Sequence, residues 1–166
     1  GFAKSEKTRD TAKSIGLCDH VFNNLKDTVN DADLVVLCTP VGVMGEVVEQ
    51  IAPYLKKGAT LSDVGSVKRA VLDAVEPLMP TDVYFVPAHP LAGTEHSGPE
   101  SGFSSLFENR WCILVPTTSS TPNAVEKLTR LWTGMGALVD QMDADHHDLV
   151  LALSLIHISE PTRRTP

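Results

Sequence analysis

The 166 residues contain no apolar run long enough to cross a bilayer, no internal repeat and no signal-peptide pattern, so nothing in them suggests a membrane-embedded protein. The first residue is Gly1 rather than methionine, and the natural amino terminus is therefore expected further upstream. Positive charge is scarce. Fourteen Lys and Arg face 21 Asp and Glu, a formal net charge of −7, which argues against nucleic acid or an anionic membrane surface as a partner. Only three cysteines occur, and Cys18, Cys38 and Cys112 lack the spacing of metal ligands, so no metal site is expected. Cys38 and Cys112 lie in apolar runs where a buried thiol is expected, in keeping with a reducing cytoplasm. Also missing is any G-x-G-x-x-G, the turn that brings backbone amides against a pyrophosphate.

What is present is the composition of one ordinary folded domain, 42% hydrophobic and 21% charged. Three short apolar runs end in polar turns. Residues 34–38 (LVVLC) close with Thr39 and Pro40, residues 59–62 (ATLS) close with Asp63, Val64, Gly65 and Ser66, and residues 83–86 (VYFV) are stopped by Pro87 and Pro90. Helical spacing follows the first two, through Val43, Val47, Val48, Ile51 and Leu55 and then Val67, Val71, Val75 and Leu78. Strand, helix, strand, helix, strand implies a right-handed, mainly parallel sheet covered by helices, an α/β doubly wound fold. In such a sheet the polar strand ends share one edge, so Thr39, Ser66 and His89 are expected to converge on a crevice. A titratable imidazole there suits a general base, while a turn histidine bonded to backbone is the competing reading.

Elsewhere, residues 1–5 read as the end of a strand, with a helix from Thr8 to Ile15 closed by Gly16. A helix over 25–31, strands over 111–115 and 137–139, and a helix begun by Thr121 and Pro122 complete the pattern. Asp143 is placed to cap a last helix over 145–153, within which His146 and His147 are given capping or packing roles. Residues 158–166 (ISEPTRRTP) lack periodicity and read as a frayed tail, with Arg163 and Arg164 solvated rather than forming a phosphate patch.

Five segments, in this order and spacing, resemble the prephenate and arogenate dehydrogenases of tyrosine biosynthesis: DLVVLCTPVG (33–42), SDVGSVK (62–68), VPAHPLAGTEHSGP (86–99), FENRWCILVP (107–116) and MDADHHDLVLAL (142–153). The resemblance implies a Rossmann-like domain over 1–153 using NAD or NADP, followed in the family by a helical domain that dimerises. It implies that His89 is the catalytic base, that Ser66 orients it beside the nicotinamide, and that Glu95 stands at the mouth of the substrate pocket. Thr39 and Pro40 would contact the cofactor. No carboxylate ends the stretch 2–5 to repel a 2′-phosphate, and Lys4 either attracts one or is a solvated surface residue, so NADP is expected to be accepted at least as well as NAD. The HPLAGTE loop speaks against a hydroxyacid or imine reductase on the same sheet.

The glycine-rich loop, a further paired-histidine segment expected after Leu153 and the helical domain's arginine for the substrate carboxylate are all absent from these residues. From about Ser154 the sequence departs from the family, so 154–166 reads as a foreign, disordered tail. Two functions are therefore expected of the chain: the nucleotide-domain part of a cytoplasmic NAD(P)-dependent prephenate or arogenate dehydrogenase, or a nucleotide-fold fragment with no activity of its own.

Overall fold

Three strand ends decide the layout. In the computed structural model, which describes residues 1–93 and 97–159 with the side chains of 154–159 excepted, β1 (Leu34–Leu37), β2 (Thr60–Asp63) and β3 (Tyr84–Phe85) pair in parallel. β4 (Ala88–Pro90) pairs antiparallel with β5 (Trp111–Leu114), which in turn runs parallel to β6 (Leu138–Gln141). Three of these four pairings are parallel.

The two three-stranded sheets are halves of one surface, because β3 and β4 are a single extended run interrupted at Pro87. The Val86 amide still donates to the Leu61 carbonyl, and the Val115 amide donates to the Pro87 carbonyl. Proline has no N–H to continue the ladder. The sequence suggests that Pro87 and Pro90 stop the strand, leaving His89 at its end. Instead the chain changes partners at Pro87 and keeps its extension, so His89 sits in the middle of β4, opposite Ile113.

Alternation along the strands serves two cores. Leu61, Phe85, Ile113 and Val115 face α3 (Met44–Ile51) and α4 (Lys68–Val75), packing with Met44, Val48, Ile51, Val71 and Val75. Val86, Ala88, Cys112 and Leu114 pack with Ala124, Leu128 and Trp132 of α5 (Pro122–Gly134). Side chains two apart on a strand share a face, so a sheet covered on both sides needs apolar residues at successive positions, as in 111–115. The result is the expected α/β arrangement with helices on both faces.

Helix ends follow the sequence signals. Thr121 accepts from the Ala124 amide with Pro122 in the first turn of α5, and Asp143 accepts from the His146 amide at the start of α6 (Ala144–Ser159). Ser5 caps α1 (Glu6–Ser14), and Gly16 leaves it with φ +66°. The short α2 (Leu25–Val29) leads to β1.

Two expectations are corrected. Residues 1–5 form no strand. Gly1 bonds to the backbone of His20 and Phe22, while the Arg9 guanidinium donates to the carbonyls of Ala3 and Lys4, turning them toward α1 instead of a neighbouring strand. Cys38 is exposed, since β1 ends one residue earlier and the thiol sits on the rim beyond it, whereas Cys112 is buried as expected. The turn holding Glu95 and the residues 160–166, with Arg163 and Arg164, lie outside the described residues. Among those described, no helix is long and apolar enough to cross a membrane.

At the junction of the two half-sheets lies a fully buried ion pair. Lys68 Nζ donates to Asp63 Oδ2 and, at 2.7 Å, to the Ala88 carbonyl, and Asp63 also accepts from the amides of Gly65 and Ala88. Burial pushes the Asp63 carboxyl up and the Lys68 ammonium down, and each charge offsets the other's shift. Removing one partner leaves the other charge buried and unpaired. Lys68→Met is therefore expected to lose about 3–5 kcal/mol in urea unfolding followed by tryptophan fluorescence at pH 7. The loss should shrink as pH falls and the stranded Asp63 carboxyl takes up a proton. A loss below about 1 kcal/mol, the range of an exposed pair, would show that the interaction is not what holds the junction.

Candidate active site

The strand ends bring their polar residues to one place. Thr39 and Pro40 follow β1, Gly65 and Ser66 follow β2, and His89 lies on β4, and together they line a cavity of about 680 Å³ whose far wall carries Phe107 and Trp132. Gly65 is required for closeness rather than for unusual dihedrals. A Cβ there would stand 2.9 Å from both Asp63 Oδ2 and Val41 Cγ2, so a side chain would strike the buried carboxylate. A second cavity of about 540 Å³, lined by Ser66, Val67, His89 and Leu91 and by Asp148, Leu151 and Ala152 of α6, opens against that helix. Ser66 and His89 are the two residues common to both linings.

Two polar atoms on the first cavity's wall are buried without a hydrogen-bond partner among the described residues, Thr39 Oγ1 and Trp132 Nε1. A buried donor or acceptor left unpaired is uncommon and costs free energy, and both atoms are covered, so a ligand atom reaches either one only if a neighbouring group moves. Trp132 is held edge-on to Phe107, with centroids 5.1 Å apart. The sequence identifies it only as part of an apolar helix face.

His89 has a partner that residue order conceals. Its Nδ1 lies 2.9 Å from Nε2 of His147, and Nδ1 of His147 lies 2.7 Å from Asp148 Oδ1. His147 is completely buried. The Asp148 carboxylate also accepts from the amides of Lys68 and Arg69, capping the start of α4 from another helix. Burial would raise the Asp148 carboxyl, but those two amides and the His147 ring together hold it below the ordinary carboxylate range. For His89 burial comes first, and the neighbouring His147 and Lys68 add to it, lowering the imidazole from 6.5 to about 4 against the opposing pull of Asp148.

The residues singled out from sequence are thus distributed unevenly. Thr39, Pro40, Ser66 and His89 share the first cavity, while Lys4 is exposed and absent from its lining. Glu95 falls outside the described residues. Ser66 makes no hydrogen bond to His89 among the described residues, and the Nδ1 partner is His147. His146 is exposed, with its amide on Asp143, as a cap would have it, but His147 does more than pack. Lys68, His147 and Asp148 were not identified as site residues. A histidine followed by an aspartate in an otherwise apolar helical stretch was the available signal, since buried polar groups need partners.

Residues 1–141 match the family model described as "Prephenate dehydrogenase, nucleotide-binding domain". Cyclohexadienyl dehydrogenase of Zymomonas mobilis is 42% identical over 153 residues, which are 92% of this chain and 52% of that protein. Prephenate dehydrogenase of Bacillus subtilis is 30% identical over 168 residues, 95% of this chain and 45% of the relative. The chain thus spans about half the length of these relatives. Among solved structures, prephenate dehydrogenase of Aquifex aeolicus in complex with hydroxyphenyl propionate and NAD+ superposes with a TM-score of 0.81 at 28% identity, covering 97% of this chain and 61% of that one.

The lowered His89 value has a defined consequence. Above pH 6.5 the imidazole is neutral both folded and unfolded. Between 6.5 and about 4 the unfolded chain takes up a proton that the folded chain refuses, so this group erodes stability as pH falls through that window. An NMR titration of the His89 ring protons is expected to give a midpoint near 4. A midpoint at the ordinary 6.5 would mean that the ring is solvated and free of the His147 and Lys68 field.

Proposed function

The chain belongs to the prephenate dehydrogenase family, and from that premise we propose that it supplies the base and the nicotinamide side of an NAD(P)-dependent oxidative decarboxylation of prephenate or arogenate. The observation that carries this reading is the meeting of two cavities at His89 and Ser66. A hydride transfer needs two rings brought together at one proton acceptor, and two cavities with a shared histidine supply that topology. The first cavity, with Thr39, Pro40 and Ser66 on one wall and Phe107 and Trp132 on the other, suits the flat ring of a nicotinamide. The second, with apolar walls at Val67, Leu91 and Ala152 and polar groups at Ser66, His89 and Asp148, suits a six-membered ring that carries a hydroxyl. The Aquifex aeolicus relative, solved with hydroxyphenyl propionate and NAD+, supports a pairing of these two ligand classes in this fold.

Bound NAD(P)+ supplies the hydride acceptor; all else falls to the chain and the substrate. A neutral His89 accepts the proton of the substrate's ring hydroxyl as the hydride departs from the same carbon. That carbon becomes a carbonyl; as carbon dioxide leaves, the pair of the broken carbon–carbon bond moves through the ring onto the carbonyl oxygen, which takes back a proton, and the product is an aromatic phenol. An imidazole lowered to about 4 is neutral at pH 7 and ready to accept, although a weak base, and aromatisation provides the driving force that a stronger base would otherwise provide. Glu95 at the pocket mouth, Lys4 near a 2′-phosphate and a dimer formed through a helical domain beyond these residues belong to the same reading.

On their own, the 166 residues are proposed to be inactive. They contain no G-x-G-x-x-G, and the backbone amides of that turn normally hold the pyrophosphate. Calorimetric titration with NAD and with NADP is expected to show weak binding or none, and saturable micromolar binding would overturn this part of the proposal. Grafting the chain into the Zymomonas mobilis relative, in place of its matching region, tests the remainder. The graft is expected to reduce NAD(P)+ in the presence of prephenate or arogenate. His89→Asn in the graft should cost roughly 10² to 10⁴ in kcat and leave cofactor affinity nearly intact, because asparagine fills the space but cannot take the proton. Normal turnover by that variant would make His89 a structural residue.

A further inference from the structure

We propose that His147 and Asp148 are positioning residues that fix His89 in the tautomer with Nδ1 protonated and Nε2 bare. The inference rests on the reading of His89 as the base and names what sets its proton. Asp148 is held as a carboxylate by the Lys68 and Arg69 amides, so the 2.7 Å contact to His147 Nδ1 requires a proton on that nitrogen. In the proposed arrangement His147 carries its one ring proton on Nδ1, so Nε2 has a lone pair and can only accept. The 2.9 Å contact to His89 Nδ1 must be completed by a proton on His89. This leaves His89 Nε2 as the ring's unprotonated nitrogen, the one not engaged with His147, and the acceptor that the chemistry needs. Two histidines in a row thereby carry the orientation set by one carboxylate over two hydrogen bonds.

The same chain moves charge when His89 accepts a proton. As Nε2 gains the substrate's proton, the Nδ1 proton can pass to His147 Nε2, and the net positive charge shifts from His89 to His147. His147 keeps its Nδ1–H on Asp148, so the charge ends beside a carboxylate. The charged groups acting on His89 besides His147 are Lys68 from α4 and Asp148 from α6, and Lys68 is itself paired with Asp63 from β2. Lys68 is neutralised chiefly by Asp63, which leaves Asp148 as the counter-charge for an imidazolium.

The test is tautomer measurement on the chain as it stands, by long-range ¹H–¹⁵N correlation with ¹⁵N-labelled histidine at pH 7. In the wild-type chain both His89 and His147 are expected to show a protonated Nδ1 and a bare Nε2. His147→Phe should reverse His89 to the Nε2–H form ordinarily preferred by a free imidazole. His147→Gln should keep the original form, because the amide oxygen can still accept from Nδ1–H. Asp148→Asn should mix the His147 tautomers. A wild-type His89 protonated at Nε2, or a His147→Gln chain indistinguishable from His147→Phe, overturns the inference and needs no variant of uncertain folding in the first case. Since the measurement involves no turnover, its failure is separable from a failure of His89 as base, which the grafted His89→Asn variant reports.

Discussion

Lys68 and Asp63 sit where the sheet would otherwise come apart. Pro87 removes the amide that would have continued the ladder between the central strands, and the chain changes from a parallel partner to an antiparallel one within three residues. At that gap the ammonium reaches the Ala88 carbonyl and the carboxylate reaches the Ala88 amide, so the pair takes over the bonding that the backbone cannot do. A buried ion pair is a poor choice for stability alone, since apolar residues of similar volume often do as well or better. Its use here is geometric. Two apolar side chains could fill the volume but could not bind both an amide and a carbonyl of β4, and the position of β4 is the position of His89.

The same constraint explains which glycine matters. Gly65 follows the carboxylate by two residues and donates its amide to it, and the space where its Cβ would stand is already occupied by Asp63 and Val41. Ser66 is thereby delivered to the cavity wall. The loop after β2 is shaped by the buried charge behind it.

Much of this fold could be read from the residues. Apolar runs closed by polar turns, followed by helical spacing, identified the strands at 34–38, 59–62 and 83–86 and their common edge, because burial on both faces leaves a pattern in a single stretch of chain. What could not be read were relations between distant segments. That Pro87 changes the strand's partner rather than ending it depends on β5, and β5 lies more than twenty residues on. Likewise the role of His147 depends on α6 packing against α4, which no local periodicity encodes. Residues 1–5 misled for a related reason: an extended stretch forms a strand only with a neighbour to bond, and Arg9 takes its carbonyls instead.

The site's electrostatics converge on one residue of α4. Through its side chain Lys68 binds Asp63 and the Ala88 carbonyl, and through its amide it binds Asp148, so that both supports of His89 meet in a single position. The two supports pull in opposite directions, since the ammonium disfavours a charged His89 while the carboxylate favours one. Burial keeps the resting ring neutral, and the ammonium, largely matched by Asp63, adds to it. Once a proton arrives, Asp148 is the charge still available to stabilise it through His147. A helix start bound from outside by a carboxylate is normally read as capping. Here the capping carboxylate has its remaining hydrogen-bonding capacity turned toward a buried imidazole, which joins the docking of α6 to the protonation of the site.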